Sequence, residues 1–369
     1  MIQLSEEQIN SLCFIVTEKC NFKCKYCYQT QGNQNIDEST IEKSIDFFYP
    51  YLDKKDTGIV FFGGEPLLVF DRIRYTVEYI EKKNKSRTNN FNYYVTTNGS
   101  LITPEMLDFF EKNRFNLTLS FDAFNQDNTR KDGTFESLLK IIENKSQSTD
   151  LSFATNTVFT PSTVDYLSES LQFIIGRGVS ELLVSLAANL PWDEDSLERL
   201  TAQYDQLVDF LIEHYKKTGN IPIREFQTPP GSEKAEKPTD VFRCLAGARR
   251  VSISPEGEVL GCYLFHDYLK TRKDHEDFNR FSFGKLDNFI NNHETIYPKV
   301  IVNYLELQQD NFYTDKQDCF LCPDVDRCRT CPVMAAYITS SVGEIHTLLC
   351  RQNQIQWNAR GKFHKAIQI

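Results

Sequence analysis

The chain lacks the features that put a protein on nucleic acid or across a membrane. No run of Lys and Arg forms a basic stripe, and 41 basic against 51 acidic residues leave a formal charge of −10. Such a surface gives a phosphate backbone no electrostatic help, so no nucleic-acid partner is expected. No stretch of about 18 apolar residues occurs, which excludes a helix that spans a bilayer. The opening residues, Met1-Ile2-Gln3-Leu4-Ser5-Glu6-Glu7, carry no basic segment ahead of an apolar one. A cytoplasmic protein without membrane contact is therefore expected. Internal repeats and low-complexity tracts are also missing. The 369 residues, 40% hydrophobic and 25% charged, have ordinary globular usage and the length of two or three domains.

What the sequence does contain is cysteine. Ten of its eleven cysteines cluster, three between Cys20 and Cys27 and seven from Cys244 to Cys350. In a chain with no export signal, thiols are more often metal ligands or catalytic groups than disulfides. The eleventh, Cys13, lies inside an apolar run and reads as core.

From residue 11 to about 217, short β-rich apolar runs alternate with longer amphipathic ones, the pattern of successive βα units on a parallel sheet. Six strands are expected: Leu12–Thr17, Ile59–Phe62, Phe91–Thr96, Asn116–Phe121, Leu151–Val158 and Glu181–Leu186. Helix boundaries are readable at Asp37 to Ser39, at Thr103 with Pro104 and Glu105, and at Gly176 and Gly178. A long helix is expected over Asp195–Lys217. The expected fold class is α/β, a partial (β/α)6 TIM-like barrel whose chemistry sits at the C-terminal ends of its strands. The barrel is expected over 1–225 and a Pro-rich polar linker over 226–240. A cysteine-rich C-terminal domain should follow over 241–355, then a terminal segment over 356–369. In that domain periodicity is weak and one hairpin is clear, Arg250–Pro255 turning at Glu256-Gly257 into Glu258–Cys262. With few long apolar runs, thiolate-held clusters are expected to supply what a large core does not.

The first constellation is Cys20-Asn-Phe-Lys-Cys24-Lys-Tyr-Cys27, directly after the first strand. Three thiols from one short loop can hold three irons of a cubane and leave the fourth open to a non-protein ligand. A zinc knuckle short of one ligand is the plainer alternative. The second strand ends in Gly63-Gly64-Glu65-Pro66. Its glycines permit close backbone approach, and its carboxylate can receive an ammonium group.

Together the two motifs resemble the radical S-adenosylmethionine (AdoMet) superfamily. The resemblance implies that Cys20, Cys24 and Cys27 bind a 4Fe-4S cluster whose open iron chelates AdoMet. Tyr26 would lie against the adenine, and Gly63, Gly64 and Glu65 would receive the methionyl ammonium. Thr97 and Asn98 after strand three, and Ser120 and Asp122 after strand four, would contact ribose and carboxylate, with further contacts from Arg130 and Asn156. Each has a plainer reading, as a turn, a helix-entry cap or a solvated charge. Many relatives have Gly after the strand-four Asp; here Ala123 stands there.

The second constellation is Cys244, Cys262, Cys319-x2-Cys322-x5-Cys328-x2-Cys331 and Cys350. It resembles the SPASM extension, the iron-sulfur domain of peptide-modifying radical enzymes, except that the last short gap is two residues rather than three. The resemblance implies one auxiliary 4Fe-4S cluster on Cys319, Cys322, Cys328 and Cys350, and three ligands to another from Cys244, Cys262 and Cys331. The fourth ligand of the latter is missing from the thiol inventory. That iron is open to substrate or held by a group such as His266 or Asp267, both of which also read as surface residues. Zinc is the rival metal for C-x2-C pairs, although seven thiols poorly match two closed four-thiolate sites.

The resemblance thus implies a radical AdoMet oxidoreductase of peptide-maturase type, related to the anaerobic sulfatase-maturating enzymes. It would make a deoxyadenosyl radical and oxidise a peptide or protein to a cross-link, a thioether or an oxidised side chain. Dehydrogenation of a small molecule, formylglycine formation, and a non-catalytic iron-sulfur or zinc scaffold or redox sensor are the alternatives. Sulfatase maturases carry Asp after the second extension cysteine; here Tyr263 stands there, a candidate radical relay or a buried aromatic. Expected partners are the substrate, a one-electron reductant such as flavodoxin or ferredoxin, and a separate leader-binding protein if the barrel surface does not bind the leader itself. Substrate identity and oligomeric state are not legible.

Overall fold

The computed structural model describes residues 3–85, 89–145, 151–228, 244–316, 318–325 and 328–368. The greater part of the expected linker, residues 229–240, lies outside the described residues. The strands are β1 (Ser11–Thr17), β2 (Thr57–Gly63), β3 (Phe91–Thr97), β4 (Phe115–Ser120), β5 (Ser152–Phe159), β6 (Leu182–Leu186), β7 (Arg250–Ile253), β8 (Glu258–Leu260) and β9 (Ser282–Lys285). The first six fall within two residues of their expected ends. They are separated by helices whose first turns are capped as read: Asp37 accepts from Thr40 N, and Thr103 accepts from Met106 N with Pro104 behind it. The long helix runs Glu194–Thr218, opened by a reciprocal Asp193/Ser196 capping box and closed by Gly219 at φ +69°. Among the described residues no helix is long and apolar enough to cross a membrane.

The chain divides into two compact units. The first comprises Met1–Phe22, Tyr28–Leu117 and Cys244–Leu307. Its strand order is β3-β2-β1-β7-β8-β9. β1 pairs in parallel with both β2 and β7, so both its edges are covered, and its side chains are buried on both faces as in parallel sheets generally. The hairpin read over Arg250–Cys262 is present as antiparallel β7 and β8. It is not a free-standing hairpin, because β7 lies against β1 in register from Ser11–Arg250 to Phe14–Ile253. β8 in turn pairs with β9.

The part of this unit after residue 243 has a larger core than its sparse apolar pattern suggested. Phe265, Tyr268, Phe281, Phe283, Phe289, Tyr297 and Tyr304 are all buried, and each aromatic ring covers about 150–250 Å². The Leu286–Leu305 helix supplies three of them, despite Pro298 and a non-helical Asn292 inside it. Tyr304 is pinned at its hydroxyl, which donates to the Phe281 carbonyl and accepts from Gly261 N at 2.9 Å, one residue before Cys262.

The second unit comprises Lys23–Cys27, Thr118–Arg243 and Gln308–Ile369. Its sheet order is β4-β5-β6, with β5 and β6 parallel. The Thr347–Ile367 helix packs along the Glu194–Thr218 helix, where Gln356 donates to the buried Tyr204 hydroxyl at 3.0 Å.

Tyr304→Phe removes one hydroxyl and leaves the Gly261 N–H and the Phe281 carbonyl without that partner. The expected loss is about 1–3 kcal/mol of unfolding free energy, seen as a lower denaturant midpoint at an unchanged slope.

Candidate active site

In the first unit, β1 ends in a backbone irregularity between Ile15 and Thr17, where Thr17 pairs with Gly63 at the end of β2. The two strand ends then run together: Gly64 N donates to the Thr17 carbonyl at 2.9 Å and Glu65 N to the Lys19 carbonyl at 2.8 Å. Gly63 has φ +142°, and a Cβ there would fall on the Thr17 carbonyl; one on Gly64 would fall on that of Lys19. The glycines are therefore required by the root of the Cys20 loop itself, before any ligand is considered.

The same turn delivers Glu65, whose side chain is 1% exposed. Its Oε1 accepts from Leu67 N at 3.0 Å and from the Thr97 hydroxyl at 2.7 Å, and its Oε2 accepts from Asn98 N at 2.7 Å. Thr97 and Asn98 thus meet the glycine turn as part of one site. The Asn98 side chain donates to Asn21 Oδ1 at 2.8 Å, inside the cysteine loop. Burial pushes the Glu65 carboxyl above its ordinary value and the three hydrogen bonds oppose that rise. Among the described residues no cation is paired with Glu65. A buried carboxylate with spare acceptor capacity on Oε2 is the environment that an ammonium group fits.

In the second unit, Tyr26 is buried and its hydroxyl donates to Asp122 Oδ2 at 2.6 Å. Burial holds that phenol well above the ordinary phenol range, so it stays a donor. Asp122 also takes the Thr129 hydroxyl at 2.8 Å on Oδ2, and Val158 N and Arg130 Nη2, each at 3.0 Å, on Oδ1. Arg130 is buried rather than solvated, with its guanidinium 5.3 Å from the Tyr26 ring centroid. Its Nε has no hydrogen-bond partner among the described residues, an orphaned buried donor that suits a carboxylate. Ser120 is buried at the end of β4, and Asn156 Oδ1 accepts from the Ser185 hydroxyl at 2.9 Å. Asn189, which the sequence reading missed, donates to the Tyr26 carbonyl at 3.1 Å. Its only signal was its place just past the C-terminal end of β6. Ala123 adopts φ +47°, the left-handed conformation for which glycine is suited, and this is the physical reason glycine fits that position.

The C-terminal thiols fall into groups. In the second unit, burial pushes Cys319 up to about 11 and Cys350 to about 12, and in both the charges of neighbouring extension cysteines, Cys328 and Cys322 among them, add to the rise. Cys319, Cys322, Cys328 and Cys350 are thus within electrostatic reach of one another, and a cationic cluster would relieve that repulsion. Cys331 caps the Pro332–Thr339 helix. In the first unit, burial raises Cys244, and both Cys244 and Cys262 lie close enough to Tyr304 to raise its phenol. Cys13 is buried as expected and interacts with Ser252, with Cys262 in electrostatic reach. Among the described residues no three His, Cys, Asp or Glu side chains converge closely enough to hold a single metal ion. A cubane spreads its thiolates over separate irons.

His266 and Asp267 are not surface residues. Both are buried, with His266 Nε2 3.2 Å from Glu18 Oε1 and Asp267 Oδ1 accepting from Thr30 N at 2.9 Å. Lys270 donates to the same Glu18 oxygen at 2.6 Å. Tyr263 packs its ring on Phe62 of β2, with centroids 4.1 Å apart.

Comparison with known proteins agrees with this geometry. Residues 14–174 match the family model described as the Radical SAM superfamily. The radical SAM cyclopropyl synthase TigE of Paramaledivibacter caminithermalis is 26% identical over 354 residues, covering 85% of this chain and 72% of that one. The uncharacterised protein MJ0907 of Methanocaldococcus jannaschii is 30% identical over 216 residues, 56% of this chain and 71% of its own. Native anSMEcpe, solved with AdoMet and the Cp18Cys peptide, superposes with a TM-score of 0.74 at 18% identity, covering 97% of this chain and 99% of that one. The chain belongs to the radical SAM superfamily and has its partial α/β barrel fold, with a cysteine-rich C-terminal part.

Gly64→Ala puts a methyl group on the Lys19 carbonyl, against backbone that cannot yield. A loss of about 2–4 kcal/mol is expected. It should appear as a lower thermal midpoint and less iron retained per chain than in wild type.

Proposed function

We propose that this protein reductively cleaves AdoMet and uses the product to oxidise a peptide or protein substrate, leaving a cross-link, a thioether or an oxidised side chain. The observation that carries this reading is Glu65, a carboxylate buried with no cation among the described residues at the root of a CxxxCxxC loop. A fold neighbour solved with a bound peptide supports the substrate class.

The cluster proposed for Cys20, Cys24 and Cys27 would supply an electron to the sulfonium, giving methionine and a 5′-deoxyadenosyl radical able to take hydrogen from an unactivated C–H bond. The chain's own part is binding and orientation. Glu65 receives the ammonium, with Gly63 and Gly64 shaping the turn and Thr97 and Asn98 fixing the carboxylate. Arg130 offers its unpartnered Nε to the methionyl carboxylate, while Tyr26, Ser120 and Asn156 line the nucleoside side and Asp122 acts through Arg130 and Tyr26. Cys319, Cys322, Cys328 and Cys350 would hold one auxiliary cluster, and Cys244, Cys262 and Cys331 three positions of another. Tyr263, beside Cys262, is the side chain proposed to face the substrate radical. The domain division at 1–225, 226–240, 241–355 and 356–369 follows from the same reading. So do a cytoplasmic location, a flavodoxin-like or ferredoxin-like electron donor, and recognition of any leader by the barrel surface or a separate protein.

Anaerobically reconstituted protein with dithionite and AdoMet should release 5′-deoxyadenosine and methionine, and Cys24→Ala should abolish both. Iron analysis should approach about twelve per chain for three cubanes. Neither product from protein with intact clusters, with or without candidate peptides, would overturn the reading. Glu65→Gln removes the charge that meets the ammonium and should raise the KM for AdoMet about 10- to 100-fold, a loss of about 1.5–3 kcal/mol. An unchanged KM would remove Glu65 from the site.

A further inference from the structure

We propose that Asp122 is the positioning residue for the second half of the cysteine loop: its carboxylate holds Tyr26, and through Tyr26 it sets where Cys24 and Cys27 present their sulfurs. The functional weight of this inference rests on the reading of those thiols as cluster ligands. Its geometry stands on the second unit alone.

The two residues between Cys24 and Cys27 are tied down at four points. Lys25 N donates to the Thr129 carbonyl at 2.8 Å and Lys25 Nζ to Asn128 Oδ1 at 2.7 Å. The Tyr26 hydroxyl donates to Asp122 at 2.6 Å, and Asn189 donates to the Tyr26 carbonyl at 3.1 Å. Two of these ties converge on Asp122. Thr129, whose carbonyl holds Lys25, places its hydroxyl 2.8 Å from the Asp122 oxygen that holds Tyr26, sharing its proton with the Asn125 carbonyl. The loop is closed on itself by Cys27 N donating to the Cys24 carbonyl at 3.1 Å, so a shift at Tyr26 is passed to both thiols.

The chemistry at Asp122 allows no close substitute. The Tyr26 hydroxyl, the Thr129 hydroxyl, the Val158 amide and the Arg130 guanidinium all present hydrogens to it. Only a group with two oxygens that are both acceptors serves all four. An amide in its place turns an NH2 toward one pair of them and opposes donor to donor. The carboxylate is 1% exposed, so water cannot repair the mismatch, and the Arg130 charge offsets the cost of burying it. With all four contacts supplied by protein, Asp122 acts as the fixed point against which the loop and the guanidinium are set.

The test compares Tyr26→Phe, Asp122→Asn and the double variant as full-length, anaerobically reconstituted protein. Hydrogen exchange of the segment 23–27 reads positioning directly. It should rise about tenfold in Tyr26→Phe and about a hundredfold in Asp122→Asn, with the double variant no faster than Asp122→Asn because both act through one contact. The second readout is the change in the EPR spectrum of dithionite-reduced protein when AdoMet is added, which isolates the cluster with the open iron. Both single variants should alter that difference spectrum at unchanged iron content. Exchange within twofold of wild type in both single variants, or effects that multiply in the double variant, would overturn the proposal. If Asp122→Asn fails to fold, Tyr26→Phe decides, because it removes one hydroxyl from a ring that stays packed. If wild-type protein with full iron shows no response to AdoMet, the proposed function falls, and the exchange data still decide the role of Asp122.

Discussion

A carboxylate taken out of water costs several kcal/mol unless donors or a positive charge meet it, and the strand ends of this fold bury two such groups on different terms. Asp122 is met completely, by two hydroxyls, an amide and a guanidinium. Glu65 is met by three hydrogen bonds and no cation among the described residues. The first arrangement is complete within the protein. The second carries no cation of its own among the described residues, and the proposed function assigns a positively charged ligand to it. Radical SAM membership implies AdoMet as that ligand, and under the proposed function Glu65 is the carboxylate that receives it.

The glycine turn makes the arrangement possible. Gly63 and Gly64 give up side chains so that the end of β2 can lie against Thr17 and Lys19, and Glu65 follows immediately with its amide on the Lys19 carbonyl, one residue before the first cysteine. The clamp of Glu18 by His266 and Lys270 secures the other side of the same loop root, within the same unit. The loop is thus fixed from its backbone and from its flanking side chains, which is the preorganisation that the proposed cluster site requires.

Much of this was legible in the sequence because the signals are local. Cys20-x3-Cys24-x2-Cys27 and Gly63-Gly64-Glu65 are short, and the six strands and their caps follow from patterns a few residues long. What was not legible is non-local. Nothing within Arg250–Ile253 says that it will lie parallel to β1, since parallel pairing between distant segments leaves no turn signal. The Leu286–Leu305 helix was hidden by Pro298 and its asparagines, and the aromatic core around Tyr304 by the wide spacing of its members. His266 and Asp267 read as surface because a lone polar residue gives no hint of a buried partner 237 or 248 residues away. Asn189 was missed for the same reason, and the four protein donors that meet Asp122 were not legible because they come from three separate stretches of chain.

The central claim is that the methionyl ammonium of AdoMet completes the buried Glu65 site. An anaerobic crystal structure of the reduced-cluster protein soaked with AdoMet tests it most directly. The account predicts the AdoMet amino nitrogen within about 3 Å of Glu65 Oε2. AdoMet bound elsewhere, or Glu65 neutralised by a side chain of the protein with the amino nitrogen far from it, would contradict it.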